Sequence, residues 1–403
     1  MDTHQTIATF AKFFALRGHR RIEGSTLVPP PGDPVLFTSA GMHPLTRYLT
    51  GERHPLGRRL TGIQRCLRTT DLEEVGDSTH LTAFQMLGSW SLGDYDGPQS
   101  QRWGLELLCD HFGISPGLLH ATAFGGNGQV GPDTAAAQTW TDLGLPVELL
   151  GEEDNWWANG PTGPCGPDSE IFVWTGAGPP EGSPGTDRRW LELWNHVTMQ
   201  YERHPDGSLT PLTQQSIDTG MGLERLLMVT QRVPSVFQTE AFAPWLGALR
   251  VIGPADPDRD EDGWRSQRVI IDHLRSAVVV IGDGVRPAST GRGYVLRRLL
   301  RRALTELWHA DPDSPLTLGE LSAGLLRETM AQFGQPSAPE QVRAVMLAEE
   351  ARFRHLLTRG RWLLRRLYPS GELSDADYGF LYDTHGLPRD LITDVLARMA
   401  VGD

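Results

Sequence analysis

The acidic, proline-bearing stretch GPADPDRDEDGW at residues 253–264 separates two hydrophobic patterns that call for different architectures. Before it, short apolar runs are bounded by Gly, Pro and Asp: VLFTSAGM (35–42), LTAFQMLGSW (81–90), EIFVW (170–174) and WLELWNHVTMQY (190–201). Such runs read as strands of an antiparallel sheet with long loops. Helical spacing opens the chain at 5–18, through Ile7, Phe10, Phe13, Phe14 and Leu16, and returns near 99–113, 133–143 and 222–231. After the stretch the period is helical throughout: RVIIDHLRSAVVVIGDG, YVLRRLLRRALTELWHA, QVRAVMLAEEARFRHLLTRGRWLLRRLY, and FLYDTHG on to RDLITDVLARMA. The expectation is α+β: an antiparallel sheet flanked by helices over 1–240, then an all-helical domain over 241–403, with 253–264 as a surface loop.

A chain of 403 residues has room for two or three domains. No apolar run is long enough to span a bilayer, and the N-terminus is too polar for a signal peptide, so no membrane association and a cytoplasmic location are expected. The cysteines Cys66, Cys109 and Cys165 have unrelated spacings and suit packed small residues, so no metal site is expected. The net charge of -13 argues against a surface given over to nucleic acid, although a local basic stripe remains open. Lys12 is the only lysine, a bias toward Arg that points to coding composition. The sequence is silent on oligomeric state.

Four constellations carry possible chemistry. QRCLR (64–68) followed by LTAFQMLG (81–88) would set Arg68 and Phe84 on neighbouring strands, a guanidinium for phosphate beside a ring for a base. The plainer alternative is a surface Arg and a core Phe. DNWW (154–157) precedes GPTGPCGP (160–167) and DSE (168–170). Its Gly-Pro steps imply a rigid loop, which beside two tryptophans and an acid suits a small cationic group. A Pro-Gly turn over core tryptophans explains it equally well. DTGMGLER (218–225) lets backbone approach closely where a helix begins, with Asp218 for an ammonium and Arg225 for a phosphate. A strand–turn–helix joint closed by a Glu–Arg pair is the alternative. GRGYVLRRLLRR (291–302) sets Arg298 and Arg302 on one helix face. That is either a phosphate-contacting stripe or a solvated face paired with acids.

In this order, these segments resemble the alanyl-tRNA synthetase family. SAGM (39–42) is similar to its first class II motif, QRCLR with DLEEVG and LTAFQMLGSWSLGDY to its second, and DTGMGLER to its third. DNWWANGPTGPCGPDSEIF and LELWNHVTMQY resemble the insertions between motifs two and three. RVIIDHLRSAVVVIGDGVRP, GRGYVLRRLLRRA and LYDTHGLPRDL resemble its helical tRNA-recognition region. The resemblance covers nearly the whole chain. It implies a class II fold that activates alanine with ATP and Mg²⁺, releases pyrophosphate and passes the alanyl group to tRNA(Ala). It implies that Arg68 holds the α-phosphate and the alanine carboxylate, that Phe84 stacks the adenine with Gln85 beside it, and that Arg225 meets the γ-phosphate. Asp218 would bind the alanine ammonium, and Trp157, Asn195 and Gly220 would shape the side-chain pocket. Ser289, Arg292, Arg298 and Asp383 fall at tRNA-facing positions.

The chain also departs from that family. The second motif's loop is short and lacks Gly-Gly-Lys-His-Asn character, Arg68 running through Thr69-Thr70 into Asp71. Gln85 replaces a usual Glu, Asp168 a frequent second Cys, and Ser289 the Asn that reads the acceptor stem. Asp383 is kept. No H-x-x-x-H occurs, and the editing and C-terminal tRNA-binding regions are missing, which suggests a shortened, stand-alone paralogue. Three functions follow from these features. The chain charges tRNA, passes alanine to another acceptor (a nucleoside-like metabolite, a carrier protein or a peptide), or binds without catalysis. The joint survival of Arg68, Asp218, Gly220 and Arg225 places adenylate formation ahead of the inert reading, with tRNA as the leading acceptor. One methyl or hydroxyl separates alanine from glycine or serine too weakly to be read from sequence.

Overall fold

The computed structural model describes residues 1–33, 35–158, 160–252, 261–309, 312–368 and 371–385, with 387, 389, 391–393 and 395–396 beyond them. Two compact units result: Met1–Arg68 with Ala83–Ala243, and Thr69–Thr82 with Pro244–Asp403.

The first unit is built on nine strands: β1 (Arg20–Ile22), β2 (Arg59–Leu67), β3 (Ala83–Ser91), β4 (Leu119–Phe124), β5 (Val147–Leu150), β6 (Trp156–Ala158), β7 (Gly163–Trp174), β8 (Trp190–Arg203) and β9 (Leu209–Gly222). Their order is β1-β2-β3-β9-β8-β7-β4-β5, with β6 also on β7. The body of the sheet is antiparallel, as the sequence pattern implies, but its two edge pairs, β1–β2 and β4–β5, are parallel. Parallel neighbours need long crossovers. The β4–β5 crossover carries the helix Thr134–Asp142, capped by the Asp133 side chain on the Ala136 N–H. The helix Thr3–Ala15 carries a capping box between Asp2 and Gln5 and buries Phe10, Phe13 and Phe14. Phe10 and Phe14 tilt against Trp194 of β8.

Two sequence readings need correction here. VLFTSAGM is not a strand. Its apolar Phe37, Ala40 and Met42 are buried, yet the described backbone makes only scattered pairings, Thr38 N–H to Leu27 O and Leu67 N–H to Thr38 O. Burial without an alternating ladder explains the misleading apolar run. GPCGP is not a loop but the start of β7. Pro167 is tolerated because the register shifts between Cys165 and Asp168, a bulge where a missing donor costs little, and Pro164 because it is the second residue of the strand. Gly166 is required there: a Cβ would fall 1.9 Å from the Thr198 carbonyl oxygen of β8.

The second unit is helical, with Glu261–Gly282, Gly291–Trp308, Ala323–Gln332, Pro339–Leu367 and Asp375–His385 as its main helices. Part of the expected loop, Glu261–Trp264, is helical, while 253–260 lie outside the described residues. Residues Thr69–Thr82, N-terminal in sequence, cluster with this unit. Asp272, fully buried on Glu261–Gly282, accepts the Thr82 N–H at 2.9 Å and sits 2.9 Å from His273 Nδ1. A buried carboxylate held this way anchors the segment 69–82 within its unit. No helix among the described residues is long and apolar enough to cross a membrane.

Candidate active site

Strand alternation gathers one face of the sheet into a site. Gly88 of β3 pairs with Gly220 of β9, Gly220 with Asn195 of β8, and Asn195 with Glu170 of β7. One step along, Trp90 pairs with Asp218, Asp218 with Val197, and Val197 with Asp168. Residues two apart on a strand share a face, so both rows project together, joined by Phe84 and Met86 on β3.

At one end lies Arg68, just past β2. Its guanidinium is 5.3 Å from the Phe84 ring centroid, and its Nε–H reaches the Ser39 carbonyl of the S-A-G-M segment at 3.4 Å. The Cys66 thiol opposite Phe84 is pushed well up by burial and senses Arg68, Glu224 and Asp218 together. Gln85 differs from its neighbour. It alternates to the opposite face, where the buried Glu224 carboxylate accepts its backbone N–H at 3.1 Å. Its buried Oε1 has no hydrogen-bond partner among the described residues.

In the middle, the buried Asp218 carboxylate accepts from Trp90 Nε1–H at 2.6 Å. Desolvation pushes this carboxyl up to about 7, with the indole hydrogen bond pulling the other way. Gly220 is bare for a reason: a Cβ there would come 2.6 Å from Met86 Sδ. That sulfur also accepts the Gly41 N–H at 3.2 Å. Trp157 on β6 is half-buried and packs with Phe84 against the cluster that holds Met42, Met86, Trp90 and Val197.

At the other end, Asp168 receives one amide on each oxygen, Asn155 Nδ2 at 3.0 Å and Asn195 Nδ2 at 3.1 Å. Asn195 Nδ2 also approaches Glu170 Oε1 at 3.3 Å, and its own Oδ1 is buried without a partner among the described residues. Burial raises both acids, Glu170 further because Glu192 and Asp168 are close and Arg225 offsets only part. Arg225, in the first turn of the helix Leu223–Gln231, donates to the Glu192 carboxylate at 2.9 Å and to its carbonyl at 3.0 Å. The face therefore offers an arginine and ring at one end, a carboxylate over bare glycine in the middle, and an acidic, amide-rich recess at the other. That layout suits a ligand with anionic, apolar and ammonium parts.

Sequence reasoning singled out DNWW and DSE without giving Asn155, Asp168 or Glu170 a role, and it missed Trp90, Met86 and Glu192 as parts of this face. Strand parity was the available signal: Phe84, Met86, Gly88 and Trp90 step by two, as do Asp168 and Glu170.

In the second unit, Ser289 is exposed just before the helix Gly291–Trp308, and Arg292 lies on its first turn. Arg298 and Arg302 both reach Glu73, the latter at 3.2 Å. Arg301 and Arg297 reach Glu349, whose side chain is fully buried, at 2.8 and 3.6 Å. Glu73 and the four arginines line a cavity of about 360 Å³ with Tyr294 and Phe353. Asp383 lies on the helix Asp375–His385, its side chain outside the described residues.

Comparison with known proteins adds the following. The family of class II (A) tRNA synthetases matches residues 6–401. The alanine–tRNA ligase of Treponema pallidum (strain Nichols) is 39% identical over 98% of this chain and 68% of that protein. That of Treponema denticola is 44% identical over 73% of this chain and 51% of its own length. That of Rubrobacter xylanophilus is 38% identical over 97% of this chain and 47% of its own length. The chain thus spans about half to two thirds of these relatives. With the family match running over residues 6–401 and relatives 38–39% identical over nearly the whole chain, the chain belongs to the class II tRNA synthetase family.

Proposed function

We propose that this protein activates L-alanine, or a similarly small amino acid, with ATP to form aminoacyl-AMP and pyrophosphate. It then passes the aminoacyl group to an acceptor, with tRNA(Ala) as the leading one. The observation that carries the reading is the row Gly88–Gly220–Asn195 beside Asp218. It offers a carboxylate for an ammonium next to a floor too bare and too tightly backed by Met86 for a large side chain.

The chemistry asks for little beyond positioning and charge. Asp218 receives the ammonium and so holds the amino acid's own carboxylate toward Arg68. Phe84 presents its ring to the adenine. Arg68 draws the amino-acid carboxylate and the α-phosphate together, two anions that repel in its absence, and stabilises the charge that builds as the carboxylate oxygen attacks phosphorus. Pyrophosphate leaves toward Arg225, which would exchange Glu192 for phosphate. Trp157, Asn195 and Gly220 bound the side chain. Among the described residues no group of three or more His, Cys, Asp or Glu side chains is arranged to hold a metal ion. Mg²⁺ would enter with the nucleotide phosphates, whose charge it neutralises.

The test is alanine-dependent exchange of labelled pyrophosphate into ATP across a panel of amino acids, with and without tRNA. Exchange with alanine that disappears in Arg68→Ala supports the reading, and absence of exchange with every small amino acid overturns it. A second acceptor class, a small molecule or carrier protein, is favoured by one observation: Arg297, Arg298, Arg301 and Arg302 already face carboxylates of their own unit. Alanyl transfer that proceeds without tRNA selects that class.

A further inference from the structure

We infer that Trp90 is a positioning residue for the amino-acid substrate: its indole N–H pins one oxygen of Asp218 and leaves the other for the ammonium. The inference rests on the activation reading above and adds to it a residue that sequence motifs left unassigned.

Three features converge on this ring. Trp90 and Asp218 are directly opposed on β3 and β9, and Nε1–H meets Oδ1 at 2.6 Å. The other oxygen, Oδ2, accepts nothing among the described residues. The indole lies in a slot cleared by glycines from three segments. A Cβ at Gly88 would stand 2.3 Å from Cζ2, one at Gly41 3.0 Å from Cζ2, and one at Gly62 3.6 Å from Cζ3. At 1% exposure the ring has no freedom to swing away. A carboxylate fixed by one short donor presents its second oxygen in one direction, and a hydrogen bond to the charged form keeps a buried acid ionised at lower pH. The titratable groups that sense Asp218 are Cys66 on β2 and Tyr95 beyond β3, both raised by burial and therefore uncharged at neutral pH. Arg68 and Glu224 bear on Cys66, and Arg59 and Asp94 on Tyr95. The indole is thus the polar contact that opposes desolvation of this acid.

The experiment is pyrophosphate exchange at saturating ATP, measured from about pH 5.5 to 8.5 on the intact protein and on Trp90→Phe, which keeps an aromatic ring and removes the donor. In the unaltered protein kcat/KM for alanine rises with pH along the ionisation of Asp218. In Trp90→Phe that limb moves to higher pH, and KM for alanine at pH 7 rises about tenfold with kcat nearly unchanged, the size expected for a lost hydrogen bond to a charged group. In an Asp218→Asn background, Trp90→Phe adds no further pH shift. Where melting shows Trp90→Phe to be unfolded, 3-benzothienylalanine at position 90 keeps the bicyclic ring without the N–H and supplies the same readout. An unchanged limb and KM overturn this inference alone. No exchange in the unaltered protein overturns the activation reading and this inference with it.

Discussion

The two units treat charge in opposite ways. On the sheet face, Asp218 and Asp168 are buried and Glu170 is half-buried among an indole and two amides, and all three are driven upward toward protonation. Cations are scarce there: Arg225 is held by Glu192, and Arg68 lies near the ring of Phe84. In the helical unit every arginine of the 297–302 stripe has found a carboxylate, Glu349 from within or Glu73 from the segment 69–82. Burying a charge without a counter-charge is costly, so a fold keeps it only where something else gains. On the activation reading proposed above, acids short of cations mark the place for a ligand's ammonium. Arginines matched to internal acids mark a place that is already complete.

The sharpest way to break this contrast is to remove charge from each side. Arg68→Ala deletes the guanidinium proposed to bring two anions together. It should lower alanine-dependent exchange by about a thousandfold while costing no more than about 1 kcal/mol in urea unfolding, since it gives up a long 3.4 Å contact to Ser39 and the contact with the Phe84 ring. A large loss of stability with modest loss of exchange would reverse the roles assigned to the two units. Glu349→Ala should do the opposite. It leaves Arg297 and Arg301 facing a fully buried gap and should cost about 3 kcal/mol in denaturant unfolding, with exchange retained below the melting temperature.

These outcomes also bear on how much the sequence could tell. The helical unit was legible because its period is long and unbroken, as in QVRAVMLAEEARFRHLLTRGRWLLRRLY, the helix Pro339–Leu367. The motifs around Arg68, Asp218 and Arg225 were legible as words, and all three fall on or beside the same sheet. What stayed hidden was the cross-strand pairing. Nothing local ties Trp90 to Asp218 across 128 positions, and no helical or strand period announces that Glu73 will meet Arg298. Proline misled at Pro167 because a bulge in β7 absorbs what would otherwise end a strand, and at Pro164 because it stands at the strand's start. Gln85 misled because adjacency to Phe84 in a strand means the opposite face, not the same one.

A smaller effect sharpens the comparison through pH. Burial raises Asp168, so between the usual carboxylate pKa near 4 and its higher folded value the native state keeps a proton that the unfolded chain has released. The contribution is favourable below about 4 and is lost as pH rises through the folded value of about 7, so stability should fall between about pH 4 and 7. Asp168→Cys removes the acid. Asn155 Nδ2 retains Thr122 Oγ1, and Asn195 Nδ2 retains Glu170. Unfolding measured across that range should show a shallower decline in the variant. An unaltered slope would assign it to Glu170 and Asp218.

The smallest expected effect decides whether the arginine stripe is truly complete. Glu73 is two-thirds exposed and Arg298 nearly half, so their ion pair is worth no more than about 1 kcal/mol and a phosphate can compete for it. Glu73→Gln should therefore cost little stability and release Arg298 to solvent, while Arg302 keeps the Leu72 carbonyl at 2.6 Å. If this helix is a nucleic-acid surface held in check by its own loop, binding of tRNA at low salt should tighten about threefold in Glu73→Gln, and the gain should vanish as salt rises. If the stripe is purely structural, affinity should not move at any salt concentration. The acceptor would then have to be recognised elsewhere, because a helix whose arginines bind only their own carboxylates offers nothing for a phosphate backbone to displace.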